Sequence, residues 1–347
     1  MFLKEYLIIF MIVIISMILQ SCSNNQYIGD NIQEMPINFK VAFIGDQSYN
    51  DNSKAVLRLI KDEGTDMVIH SGDIVYESSA EEWEKQINEI LGRNFPYFAS
   101  IGNHDICSWS ELQNILKSRL KRIDGAKCVG NYGISSACSY KGLFFILSHA
   151  GLGDDDGWYY SNKASKRFAK CLWNHLIIEL SPINDEIKYI KDQLTSSENL
   201  WKICSWHKPQ RLMQVGKAND VNDIEHYEEC RKAGAIIITA HERSYVRTYL
   251  IDDFKTQSVA STSNKLIIKK GNTFAVVSAL GGKGINKQEN GLAANNWFAS
   301  VYTKDQNADF GALFCTFNKG GIDNNAECYF KDIQGRIPDE FEVVNLG

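Results

Sequence analysis

The stretch KVAFIGDQSYNDNSKAVLRLIKDEGTDMVIHSGD, residues 40–73, decides the fold. It opens on an apolar run, 40–46, of the kind a strand shows when both of its faces are buried. Residues 52–64 then carry apolar side chains at helical spacing and stop at Gly64, the residue type that closes helices. Residues 66–73 form a second apolar run. The pattern repeats downstream: SAEEWEKQINEILG (79–92) has a Ser start, an acidic first turn and a final Gly, and NFPYFASI (94–101) is again apolar. Further strands are expected at 143–150, 201–207 and 235–241, the last two preceded by helices. Strands alternating with helices predict an α/β sheet with covered faces. The last hundred residues or so switch to hairpin-like strands such as RTYLIDD (247–253), TFAVVSAL (273–280) and ALFCTFN (312–318). Without a Pro- or Ser-rich linker or an internal repeat, residues 37–347 are expected to form one domain, preceded by a polar tether at 23–36.

The first 22 residues differ in kind from the rest. One lysine near the start is followed by an uncharged 13-residue run, Leu7 to Leu19, apolar but for Ser16, then Gln20, Ser21 and Cys22. That run falls short of the roughly 20 residues a membrane-crossing helix needs and suits the core of an export signal. Its ending resembles a bacterial lipobox, which implies lipidation of Cys22 and an extracytoplasmic protein anchored by lipid. A plain signal peptide or an uncleaved anchor is the alternative. Export changes the reading of the eight remaining cysteines, some of which are expected to form disulfides. Cys315 and Cys328 flank a turn and could face each other across a hairpin. None shows paired zinc-site spacing. A net charge of −5 and the lack of any Lys/Arg run argue against nucleic acid as a partner.

Five successive strand ends carry residues able to bind a metal: Asp46, then Asp73 with Tyr76, then Asn103, His104 and Asp105, then His207, then His241. In an open α/β sheet the carboxyl ends of strands line one crevice, so these side chains are expected to converge. In this order they resemble the calcineurin-like metallophosphoesterases, the purple acid phosphatases most of all. The matching blocks are GD at 45–46, GDIVY at 72–76, GNHD at 102–105, SWH ending at His207 and AHER at 240–243.

The resemblance implies a four-layer αββα sandwich of two mixed β-sheets flanked by helices, and a two-metal centre hydrolysing phosphomonoesters. Asp46 and Tyr76 would bind the first metal, Asn103, His207 and His241 the second, and Asp73 would bridge them. Two cations about 3.5–4 Å apart clamp a phosphoryl group and acidify a water, and oxygen donors with imidazoles suit Fe, Mn or Zn. His104 would act on the phosphate itself, with Asp105 orienting its ring, and Asn103 would share in holding the phosphate.

One departure stands out. Where the family has GHxH, this chain has Ala240, His241, Glu242 and Arg243. A guanidinium has no lone pair to give. Either the first site is weakened, or His149 at another strand end replaces the lost ligand, or Arg243 binds substrate phosphate directly. A catalytically impaired relative serving as a surface scaffold is the competing reading. The remaining motifs are bland. ALGGKG (279–284) fails the phosphate-loop pattern, HERSY (241–245) fails the zinc-protease one, and GDDDGWYY (153–160) lacks the alternation of a calcium loop. His70 is expected to pack near the site, and His175 and His226 to lie at the surface.

Overall fold

The computed structural model describes residues 27–28, 33–152, 183–216, 224–289 and 291–347. The expected export segment with Cys22, most of the tether, the acidic run 153–160 and His175 lie outside them. Along the chain come β1 (Phe39–Ile44), α1 (Asp51–Asp62), β2 (Met67–Ser71), α2 (Ala80–Ile90), β3 (Tyr97–Ser100) and α3 (Trp109–Leu120). Next are β4 (Lys127–Asn131), β5 (Ser135–Tyr140), β6 (Leu143–Ser148), α4 (Ile183–Ser196), β7 (Trp201–Ser205) and α5 (Glu225–Lys232). Then follow β8 (Ile236–Thr239), β9 (Tyr245–Thr248), β10 (Leu250–Asp253), β11 (Ser258–Ser261), β12 (Lys265–Ile268) and β13 (Ala275–Ser278). The last strands are β14 (Phe298–Tyr302), β15 (Gly311–Phe317), β16 (Asn325–Asp332) and β17 (Asp339–Asn345).

Residues 40–73 fold as read. Asn50 and Ser53 cap the start of α1 reciprocally, as Ser79 and Glu82 cap α2, each side chain taking a backbone N–H that the helix leaves unpaired. The parallel strands β1, β2 and β3 sit in a seven-stranded sheet of order β12-β17-β16-β15-β1-β2-β3. The parallel strands β6, β7, β8 and β13 sit in an eight-stranded sheet of order β14-β9-β13-β8-β7-β6-β5-β4. Antiparallel neighbours make both sheets mixed.

Side-chain alternation along the second sheet builds two cores. Leu143, Phe145, Trp201, Ile203, Ile236 and Ile238 join the core shared with the first sheet, where Phe145 meets Phe98 and Trp201 meets Phe317 edge-on. Their neighbours Phe144, Ile146, Cys204 and Ile237 pack instead with Ile190, Leu194, Tyr227 and Cys230 of α4 and α5. Helices α1 to α3 cover the first sheet through Val56, Ile60, Trp83, Ile87, Leu112 and Leu116. The result is the expected αββα layering. His226 is a correction: it is buried on α5 beside Trp206, because α5 turns that face onto the second core.

The two sheets are also joined by a buried polar link. Arg247 on β9 gives two hydrogen bonds to Asp339 on β17, at 2.7 and 2.8 Å, and Tyr245 donates to the same carboxylate at 2.6 Å. Among the described residues, three disulfides add covalent ties. Cys315–Cys328 spans directly opposed residues of β15 and β16, as expected, Cys128–Cys138 does the same for β4 and β5, and Cys204–Cys230 ties β7 to α5. Among the described residues no helix is long and apolar enough to cross a membrane.

Candidate metal centre

The carboxyl ends of the parallel strands in both sheets meet at one lip. Asp46 N donates to Gly72 O at 3.2 Å, Gln47 N to Asp73 O at 3.0 Å and Ala240 N to His207 O at 2.8 Å. Ser71 on β2 and Ser205 on β7 share a hydrogen bond of 2.9 Å between the sheets. The block glycines are what let these turns touch: a Cβ on Gly102 would stand 2.1 Å from Asp73 N, and one on Gly72 2.8 Å from the Cβ of His207. The turns are strained as well as close. Asp46, Ser48, Asp73, His241 and Arg243 all adopt positive φ, between 46° and 75°. Clustering of such conformations in non-glycine residues is typical of functional sites.

Ring nitrogens and a carboxylate converge within these turns. His207 donates from Nδ1 to Ser71 O at 2.8 Å, which fixes its tautomer and leaves the Nε2 lone pair facing the centre. That Nε2 lies 3.2 Å from Asp73 Oδ1 and 3.2 Å from His241 Nδ1. Asp73, His207 and His241 each offer a ligand atom within 4.8 Å of the others. Asn103 Oδ1 is buried and makes no hydrogen bond with the protein, the condition of an acceptor kept for a cation. The residues present therefore fit a metal at the second position.

The electrostatics agree. Burial opposes charge on His207, but Asp73 and Asp46 outweigh it and push the imidazole up to about 9, so this nitrogen calls for a proton or a metal ion. Burial would raise Asp73, yet His207, with His104 and His241 behind it, holds its carboxyl well below the usual range. Burial, reinforced by Asp73 and opposed by His207 and Arg243, pushes Asp46 up to about 6. Burial lowers His104, with His207 and Arg243 adding to the effect and Asp73 opposing it.

The first position is built differently. Tyr76 donates its hydroxyl to Asp46 Oδ1 at 2.7 Å and approaches Asp73 Oδ2 at 2.9 Å. Arg243 faces the same carboxylate, Nε 3.8 Å from Asp46 Oδ1, and its guanidinium lies 5.5 Å from the Tyr76 ring centre. A permanent positive charge thus stands beside the oxygens that would have met the first metal.

Two expectations are corrected. His149 does not join the donor group: its Nδ1 faces Ile134 O at 3.1 Å and Glu186 Oε2 at 3.7 Å, since α4 brings a carboxylate to that strand end. Asp105 does not orient the His104 ring. Its Oδ1 accepts from Ile74 N and Val75 N and its Oδ2 from Gly102 N, so it locks the GD and GN turns together. His104 instead has its backbone N–H on Asp73 Oδ1 at 2.9 Å and its ring 4.3 Å from that of Tyr76. His70 is a fully buried core residue beside Tyr97, and burial pushes its imidazole down to about 3. Lys283, which sequence reading passed over, also reaches the lip, with Nζ 4.3 Å from the Tyr76 ring centre. The glycine density of GGKG was its signal.

Strand-end carboxylates and imidazoles gathered over an αββα sandwich define a metallophosphoesterase. A sequence profile of the calcineurin-like phosphoesterases matches residues 28–245, and the chain belongs to that family. Its fold is similar to that of the yellow lupin (Lupinus luteus) purple acid phosphatase PPD1, at 17% identity and a TM-score of 0.56 over 88% of this chain and 53% of the lupin chain. The chain thus spans about half the length of that enzyme's chain. It is also similar to GAP50, the anchor in the inner membrane complex of Plasmodium, at 13% identity and a TM-score of 0.50 over 90% of each chain. A dimetal phosphatase from Danio rerio shares 10% identity at a TM-score of 0.50, over 89% of this chain and all of its own. No curated protein matches the chain.

Proposed function

We propose that this protein is a phosphomonoester hydrolase built around one firmly held metal ion at Asp73, Asn103, His207 and His241. The observation that carries this reading is the convergence of Asp73, His207 and His241, with the His207 tautomer fixed by Ser71. When bound, an Fe, Mn or Zn ion supplies Lewis acidity toward a phosphoryl oxygen and toward water. The chain's own residues do the rest. Arg243 offers forked donors to phosphate oxygens in the place of a second cation. His104, beside Asp73 and Tyr76, gives a hydrogen bond to the phosphoryl or the leaving oxygen. Tyr76 keeps a proton between Asp46 and Asp73, which lets two buried carboxylates stand together. Elemental analysis with hydrolysis of p-nitrophenyl phosphate in Mn, Fe and Zn tests the reading: one equivalent of metal with turnover supports it.

A second reading, a non-catalytic surface anchor, is favoured by the same Arg243. The fold serves both phosphatases and the Plasmodium anchor protein, so the choice falls to the site. No metal and no turnover with any of the three ions would establish that reading. Arg243→His separates the roles further: restoring an imidazole should tighten metal binding at the first position by roughly tenfold or more and move the stoichiometry toward two. If two ions then bind and turnover vanishes, Arg243 serves the substrate.

Export with a lipid anchor at Cys22 belongs to the same proposal. Its supports are the apolar leader and the disulfides, which persist in oxidising compartments. Cys22→Ala should shift the protein from the membrane fraction to the soluble one, and an unchanged distribution would argue for a different anchor.

A further inference from the structure

The loop after β13 is sewn to both sides of the candidate centre. Gly281 N donates to Gly45 O at 3.0 Å, Lys283 N to Asp46 O at 2.9 Å and Asn286 N to Arg243 O at 2.9 Å. Asn50 Nδ2 holds Gly282 O at 3.0 Å. The approach is so close that a Cβ on Gly281 would stand 2.4 Å from Gly45 O, and one on Gly282 2.6 Å from Ser53 Cβ. Gly284 lies against the stem of Arg243, its Cβ position 3.4 Å from Arg243 Cδ. This anchoring sets two cations around one ring, Lys283 Nζ 4.3 Å and the Arg243 guanidinium 5.5 Å from the centre of Tyr76, with His104 4.3 Å away as well.

Lys283 is held by Glu77, Nζ to Oε1 2.8 Å and to Oε2 3.0 Å. The Glu77 side chain is 79% exposed, and exposed pairs of this kind contribute little. A dianion entering the lip can displace it. One phosphoryl group is already served by Arg243, His104 and the metal position, which leaves the Lys283 charge beside it for a neighbouring group.

Building on the hydrolase reading, we propose that Lys283 binds a second phosphate of the substrate, adjacent to the phosphoryl group under attack. The preferred substrates are then diphosphates, such as inorganic pyrophosphate or a nucleoside diphosphate. In the reaction the oxygen of water bonds to the terminal phosphorus and the bridging P–O bond breaks. The leaving phosphate departs with that electron pair, and the proton of water ends on a phosphate oxygen.

The test compares the full chain with Lys283→Gln and Lys283→Arg. A lost hydrogen bond to a charged group predicts that Lys283→Gln raises the KM for pyrophosphate about tenfold more than the KM for phenyl phosphate. Lys283→Arg should restore most of that preference. Calorimetric binding of methylenediphosphonate, a non-hydrolysable diphosphate, should weaken by a similar factor in Lys283→Gln, and Glu77→Gln should tighten it. Equal changes in both KM values, or an unchanged Kd for methylenediphosphonate in Lys283→Gln, would overturn the assignment. Should the unmodified chain hydrolyse neither pyrophosphate nor phenyl phosphate, the hydrolase reading fails, and the methylenediphosphonate Kd alone decides the role of Lys283.

Discussion

Asp73→Ala is expected to remove the metal and with it about a thousandfold or more of the turnover, the scale on which a group stabilising transition-state charge contributes. Asp73 sits where the two positions meet. Its Oδ1 accepts the His104 backbone N–H and lies 3.2 Å from His207 Nε2, and its Oδ2 takes the Tyr76 hydroxyl. Without the carboxylate, His207 and His241 present two ring nitrogens 3.2 Å apart with no charge between them to hold a cation. Because Asp73 has φ of 57°, alanine there adds backbone strain of its own. Asp73→Asn isolates the charge: asparagine tolerates the left-handed region and keeps an acceptor for His104. Elemental analysis of both variants should show metal loss with an unchanged circular-dichroism spectrum. Metal retained at full occupancy in Asp73→Ala would remove this residue from the centre.

The second large effect concerns stability. Arg247→Ala should cost about 3–5 kcal/mol, the usual penalty for leaving one member of a buried ion pair alone. Arg247 and Asp339 are both buried, one on each sheet, and the guanidinium also lies 4.2 Å from the centre of the Phe341 ring. Its loss strands the Asp339 carboxylate with Tyr245 as its remaining side-chain donor. The melting temperature should fall by on the order of 10 °C. Replacing both partners with apolar residues, Arg247→Met with Asp339→Leu, should recover much of the loss, because the desolvated charges leave together. If the single variant unfolds at the normal temperature, the link between the sheets is not stabilising as argued.

Much of this could be read before any coordinates. Helical spacing between apolar runs, the Ser79 start of α2 and the strand-end positions of Asp46, Asp73, Asn103, His207 and His241 are local patterns, and the structure draws the first, second, fourth and fifth of those residues into contacting turns. The pairing of Cys315 with Cys328 was legible for the same reason, since a short turn leaves two facing strands. Arg243 could be seen as a departure, because a missing imidazole is visible wherever the pattern is otherwise complete.

Partner choice was not legible. Asp105 binds N–H groups about 30 residues away, Ile74 and Val75, so its role depended on how two turns packed. His226 faced the core because of the angle of α5, and His149 met Glu186 because α4 passed over that strand end. Lys283 reached the lip through hydrogen bonds to Asp46 and its own glycine neighbours, which no spacing along the chain reports. By itself, then, the sequence determined which elements form and which strand ends carry ligating chemistry, since propensity and periodicity act over a few residues. Only the tertiary structure decided which oxygen faces which nitrogen, because those distances are set by strand order and by the close contact of turns far apart in the chain.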